Sequence, residues 1–210
     1  MRIIKPSVEI MTPVDGESVL KHIELCGRVC YKSEDKIAED SAEKFVAGII
    51  KRGHEAVIEH FNITVKFICD RGVSHEIVRH RMASYAQEST RYCNYGKDGF
   101  GNEITVIEPC YLVKNSPRWH MWRTSCETAE EYYMAMLETG CTPQEARAVL
   151  PNSLKTELVM TANLREWRHF LRLRTSKAAH PQMREVALML AREMREKIPV
   201  VFEDFEVHDG

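Results

Sequence analysis

With 210 residues, 44% of them apolar and 29% charged, the chain is large enough for one sizeable core and mixed enough to be globular. Its formal charge of -2 argues against a broad nucleic-acid-binding surface, which accumulates Lys and Arg, but leaves room for a local anion pocket. No stretch approaches the roughly 20 apolar residues that cross a bilayer, and the opening MRIIKPSVEIMTPVDG lacks a signal-peptide core, so a cytoplasmic protein without a membrane partner is expected.

In chain order, VEIMT at 8–12 alternates as a first strand, and SVLKHIELCGRVCYKS at 18–33 places Leu20, Ile23 and Val29 at helical spacing. A second helix is expected over about 41–52, stopped near Gly53. FNITVKFICD at 61–70 sets Ile63, Val65 and Phe67 against Asn62, Thr64 and Lys66, a strand pattern with Gly72 at its exit. A short helix is expected through HEIVRHRMA, packing Ile77, Met82 and Val78 inward and sending Arg79, His80 and Arg81 in different directions.

NYGKDGFGN at 94–102 reads as a loop before the strand EITVI at 103–107, and a long helix follows over about 118–139. Thr142, Pro143 and Glu145 have the spacing of a capping box that opens another helix. TELVMTAN at 156–163 reads as a strand. In LREWRHFLRLR, Leu164, Trp167, Leu171 and Arg174 then recur at steps of 3, 4 and 3, which puts an arginine on an apolar stripe. The helix over about 180–196 faces Met183, Val186, Ala187, Leu190, Ala191 and Met194 to one side. Strands mixed with helices in this way predict a single α/β (α+β) domain over residues 1–210, with helices covering a sheet.

The chemistry concentrates in VRHRMASYAQESTRY at 78–92. Guanidinium forks and hydroxyls suit an oxyanion, so Arg79, Arg81, Ser89 and Arg91, with Arg147 and Arg174 if the fold gathers them, can recognise phosphate and an electron-rich heterocycle. Gln87 both donates and accepts, which suits a base edge. His54 and His60 miss the HExxH zinc spacing, and seven cysteines without a CxxC pair read as reduced structural thiols, so no metal is expected. Cys93 has no sequence-local histidine to activate it. On composition alone, a nucleic-acid module using Tyr85, Tyr92 and Trp167, or a phosphoryl-transfer enzyme lacking a Walker loop, stays open beside a small-molecule enzyme.

RHRMASYAQESTRY resembles the signature of flavin-dependent thymidylate synthases: Arg79, His80 and Arg81, then seven residues, then Ser89 and, two further, Arg91. HEAVIEH upstream and ARAVLPNSLKTELVMTANLREWRHFLRLR and AHPQMREVA downstream extend the likeness over most of the chain. The resemblance implies a mixed, largely antiparallel central sheet covered by helices. It also implies a homotetramer with sites shared between subunits, which makes dTMP from dUMP with FAD, NADPH and 5,10-methylenetetrahydrofolate and without a cysteine nucleophile.

By the same likeness, His54, Glu59, Arg79, His80, Arg81, Asn163, Arg165 and His169 belong to the flavin environment. Glu76, Gln87, Glu88, Ser89, Thr90, Arg91, Arg147 and Arg174 belong to the nucleotide, with Arg174 the catalytic donor. The sequence departs from some relatives at Glu76 (Gln there), Ala56 (a hydroxyl residue there) and His169 (Asn there), which bears on single contacts more than on the reaction.

Overall fold

A computed structural model describes residues 1–205. In chain order the main elements are β1 (Arg2–Ile4), β2 (Ser7–Ile10), α1 (Gly16–Tyr31), α2 (Ser41–Lys51), β3 (Asn62–Asp70), α3 (Arg71–Ile77) and β4 (Ala83–Gln87). They continue as β5 (Thr105–Ile107), α4 (Pro117–Glu138), α5 (Pro143–Ala146), β6 (Lys155–Asn163), α6 (Leu164–Arg174), α7 (Pro181–Lys197) and α8 (Pro199–Phe202). A four-stranded antiparallel sheet has the order β2-β3-β6-β4, and β1 pairs with β5 in parallel, Ile3 opposite Val106. The expected mixed α/β class is the one observed.

The period-2 patterns become one buried sheet face. Ile63, Val65, Phe67 and Cys69 of β3 are buried, as are Thr156, Leu158, Met160 and Ala162 of β6, while their sequence neighbours are less so. Each large apolar side chain so buried stabilises the fold by about 1.5–3 kcal/mol.

The chain divides into two compact units: residues 1–7, 67–79 and 85–159 form the first, and 8–66, 80–84 and the chain from 160 onward form the second. In the first, Tyr95, Ile104, Val106, Cys126, Tyr133, Ala146 and Leu154 make a core against α4. Ser116 opens α4 by accepting the Trp119 N–H at 3.2 Å, with Pro117 in the first turn where no donor is needed. The capping box at α5 forms, the Thr142 N–H donating to the Glu145 carboxylate at 2.7 Å.

In the second unit α1 packs on α2 at Gly27, where a Cβ would lie 2.6 Å from the Phe45 ring. Arg28, paired with Glu24 at 2.7 Å, covers that same ring at 4.6 Å. Gly53 takes φ +74 just beyond α2, a conformation that favours glycine, and this is why the helix stops there. Trp167 of α6 is fully buried with its indole N–H on the Ile63 carbonyl at 3.0 Å. Beside it Arg168, 2% exposed, holds Glu55 at 3.1 Å, the Asp204 carboxylate at 2.6 and 2.7 Å, and the Val201 carbonyl.

Two expectations change. The helix expected through HEIVRHRMA lies earlier and ends at Ile77, because Asp70 caps it by accepting the Val73 N–H at 2.7 Å. The residues from Ala83 to Gln87 instead extend as β4, leaving Val78 exposed and Met82 71% exposed rather than in the core. Val29 is likewise exposed, since it lies across α1 from Leu20 and Ile23.

Candidate functional site

The second unit carries His54, Glu59, His80, Arg81, Asn163, Arg165, His169 and Arg174. Its organising element is α6, which starts where it does because Asn163, at the end of β6, accepts the Glu166 N–H at 2.8 Å. Glu166, Phe170 and Arg174 then recur every four residues along one side of the helix.

His80, only 4% exposed, lies along that row. Its ring packs on Phe170 at 4.8 Å, its Nδ1 meets the Glu166 carboxylate at 3.1 Å, and Arg174 donates its Nε–H to Nε2 at 3.2 Å. A guanidinium only donates, so Nε2 must be the bare acceptor and Nδ1 the protonated nitrogen that donates to Glu166. Burial, with the positive charge of Arg174 behind it, holds the imidazole below its ordinary 6.5, although Glu166 pulls the other way.

Because folded His80 titrates below the unfolded value, its contribution to stability is whole above 6.5 and is lost as pH falls from there through the lower folded value. The urea midpoint of the wild type should therefore drop between about pH 7 and 5.5, more steeply than in His80→Gln. Parallel slopes in the two proteins would refute the buried neutral imidazole.

His80, Glu166 and His169 bring three ligand-type atoms within 4.8 Å of one another. The tautomer opposes a metal there. A cation on Nδ1 would move the proton to Nε2, against the Arg174 donor.

Next to this row a cavity of about 400 Å³ is lined by Glu55, Glu59, Met82, Asn163, Arg165, Glu166, His169 and Arg172. Arg165 and Glu59 form a pair at 2.5 Å across it, both about half exposed. His54 is exposed with Nδ1 3.2 Å from the Tyr31 hydroxyl, and Arg81 is exposed as well. A further cavity of about 520 Å³, between Gly16 and Glu43 and around Lys197, is lined by none of the candidate site residues named from the sequence.

The first unit carries Glu76, Arg79, Gln87, Glu88, Ser89, Thr90, Arg91 and Arg147. A cavity of about 340 Å³ there is lined by Arg71, His75, Thr90 and Arg147 with Leu150 to Asn152 and Leu154, and no carboxylate lines it. That donor set suits an oxyanion. Arg147 reaches the buried Thr90 hydroxyl at 3.4 Å, and Arg71 holds the Glu88 carbonyl at 3.4 Å. Arg71 and His75 were missed in the sequence. Their signal was proximity to the RHR segment on the preceding helix, which a misplaced helix concealed.

Two members of the polar run point elsewhere. Gln87 gives its amide protons to Ser74 at 2.9 Å and Thr156 at 3.2 Å, cross-linking α3 to the sheet. Glu88 accepts from Tyr95 and Lys155, both at 2.9 Å, and from the Glu157 N–H at 3.2 Å. Ser89 accepts the Arg91 N–H at 3.3 Å, and the exposed Arg91 stands 5.5 Å from the Tyr92 ring. Arg79 is exposed and Glu76 is half-buried.

The family of the thymidylate synthase complementing protein matches residues 16–200. A flavin-dependent thymidylate synthase of Geobacter sulfurreducens is 31% identical over 189 residues, 87% of this chain and 80% of that one. One from Corynebacterium glutamicum is 34% identical over 219, covering 95% and 84%. Among solved structures, a UMP/dUMP methylase PolB from Streptomyces cacaoi, bound with 5-Br dUMP, superposes with a TM-score of 0.78 at 24% identity over 97% of this chain and 96% of that one, a likeness of fold. With a family match over most of its length and relatives above 30% identity across four-fifths of theirs, the chain belongs to the flavin-dependent thymidylate synthases.

Proposed function

We propose that this protein methylates dUMP to dTMP, taking the carbon from 5,10-methylenetetrahydrofolate and the reducing equivalent from NADPH, and releasing tetrahydrofolate. The observation that carries the reading is the family match over residues 16–200, which contains the whole Arg79-His80-Arg81 to Ser89 signature.

The residues fit FAD. Carboxylate, carboxamide, imidazole and guanidinium groups line one cavity, a mixture that suits a heterocycle edge bearing both N–H and carbonyl groups. Glu59, Asn163, Arg165 and His169 would hold that edge, with His54 and His80 nearby, and the exposed Arg79 and Arg81 would supply charge to a pyrophosphate. When bound, the flavin supplies the hydride chemistry.

For the nucleotide, the proposal assigns phosphate to Arg147, Thr90, Ser89 and Arg91, joined by Arg71 and His75, which line the carboxylate-free cavity with Arg147 and Thr90. Glu76 stays on the substrate side, and Gln87 and Glu88 shape the end of the strand that presents Ser89. Arg174 stabilises negative charge on the pyrimidine carbonyl oxygens. No thiol is needed: burial, reinforced by Glu88, holds Cys93 above its ordinary value, which keeps it a protonated, poor nucleophile.

The reading extends to residues 1–210 as one catalytic domain, supported by a family match that runs unbroken through both units. It extends also to a cytoplasmic homotetramer with sites shared between subunits. Seven cysteines that form no disulfide, and the absence, among the described residues, of any helix long and apolar enough to cross a membrane, support the location. Nucleic acid is not a partner, in keeping with the net charge of -2.

The test is purification with FAD, an absorption spectrum, and product analysis after supplying dUMP, NADPH and methylenetetrahydrofolate, with light scattering for the assembly. A yellow protein yielding dTMP and tetrahydrofolate in equal amounts is expected. A colourless protein with no dTMP, or dihydrofolate as the folate product, would overturn the reading.

A further inference from the structure

Glu166 was assigned no role by the sequence, yet it is the only carboxylate on the row of α6 that faces His80. Among the described residues, Glu59 is engaged with Arg165 at 2.5 Å, Glu55 with Arg168 at 3.1 Å and Arg172 at 3.7 Å, and Asp204 with Arg168 at 2.6 Å. From α7, Arg184 donates to the Thr175 carbonyl at 3.0 Å. Among the described residues, Glu166, Arg174 and His169 are titratable groups that act on the imidazole.

We propose that Glu166 is a positioning residue for dTMP formation: by accepting the Nδ1–H of His80 it leaves Nε2 as the acceptor that grips Arg174 through Nε and so fixes the guanidinium plane. The Nη pair of a guanidinium is the fork that matches two carbonyl or carboxylate-like oxygens, and holding Nε sets the plane in which that fork lies. Without Glu166 the imidazole can place its proton on either nitrogen, and one of the two tautomers turns an N–H toward the Arg174 donor. Protonation of His80 does the same, so the grip is lost on the acid side.

The inference rests on the reading of Arg174 as the catalytic donor, and its signature is a pH shift that a merely structural role would not produce. In Glu166→Gln the amide oxygen still accepts from Nδ1, because the opposite amide orientation would force Nε2–H against Arg174. Turnover near neutrality should fall less in this variant than in Glu166→Ala, which should lose roughly 10- to 100-fold, the scale of a misplaced reacting group.

Both variants remove the charge that favours imidazolium, so the acid limb of kcat for dTMP, and of dUMP affinity by calorimetry, should move to lower pH than in wild type. The test follows both quantities between about pH 5 and 8 in the FAD-loaded enzyme, in each single variant and in Glu166→Ala combined with Arg174→Ala.

Expected is no further loss of kcat when Glu166→Ala is added to Arg174→Ala. An unshifted acid limb in Glu166→Gln, which should fold in any case, overturns the proposal, as does a full additional loss in the double variant. Arg174→Ala turning over dUMP normally would instead bring down the reading of Arg174 beneath it.

Discussion

Replacing Arg174 with alanine is expected to lower dTMP formation by roughly 2 to 4 kcal/mol of transition-state stabilisation, the range for removing one preorganised donor from a site where charge develops. Alanine deletes both the grip on His80 and the Nη fork, and water entering the space cannot reproduce a donor already aimed by Glu166 and His80. NADPH oxidation in the absence of dUMP should change much less, since no pyrimidine takes part in it. Arg174→Lys should rescue poorly, because an ammonium cannot hold Nε2 of His80 and present a planar pair of donors together. Rapid-quench measurement of dTMP beside stopped-flow absorbance separates the two. Near-wild-type dTMP formation with unchanged dUMP affinity would remove Arg174 from the chemistry.

The largest stability effect belongs to Arg168, on the opposite side of α6 from the functional row. Arg168→Ala should destabilise the protein by about 3–5 kcal/mol, the cost of breaking a buried ion pair from one side. The Val201 carbonyl would remain behind without its Arg168 donor and Glu55 would keep only the exposed Arg172, whereas Asp204, 51% exposed, can turn to water. Arg172→Ala is the control: its side chain is 57% exposed and 3.7 Å from the same Glu55, and a surface pair of that kind contributes at most about 1 kcal/mol. Urea denaturation of both variants decides the point, and equal losses would mean that the buried network does not anchor α6.

Much of this was legible in the sequence where one interaction dominated. The strands β3 and β6 followed from strict alternation, α7 from an unbroken apolar stripe, and α5 from a capping box in which Thr142 and Glu145 bond to each other. The segment 75–87 was not legible. Ile77, Val78 and Met82 fit a helical spacing, but the Asp70 cap starts α3 four residues before the expected start, and the pairing of β4 with β6 spans some 70 residues of sequence.

The site divides along the same line. The residue types of the RHR segment pointed to an anion and a heterocycle as expected ligands, whereas nothing local announced that Gln87 and Glu88 would spend their polar atoms inside the fold. Glu166 was invisible because its partner, His80, is 86 residues away. Arg174 was read from its stripe, and it is half-buried at the last position of α6 rather than fully inside.

α6 carries two messages in one eleven-residue segment: Leu164, Trp167, Arg168 and Leu171 face the interior, and Glu166, Phe170 and Arg174 face His80. Inserting or deleting one residue rotates everything beyond it by about 100°. Such a change inside the segment would bring a charged side chain into the place of Trp167 or Leu171 and, in the same event, scatter the row along the imidazole. Length variation is therefore expected to be shut out between Asn163 and Arg174, where folding and chemistry are read in one frame, and to fall in connections such as the exposed turn at 97–102, where neither depends on phase.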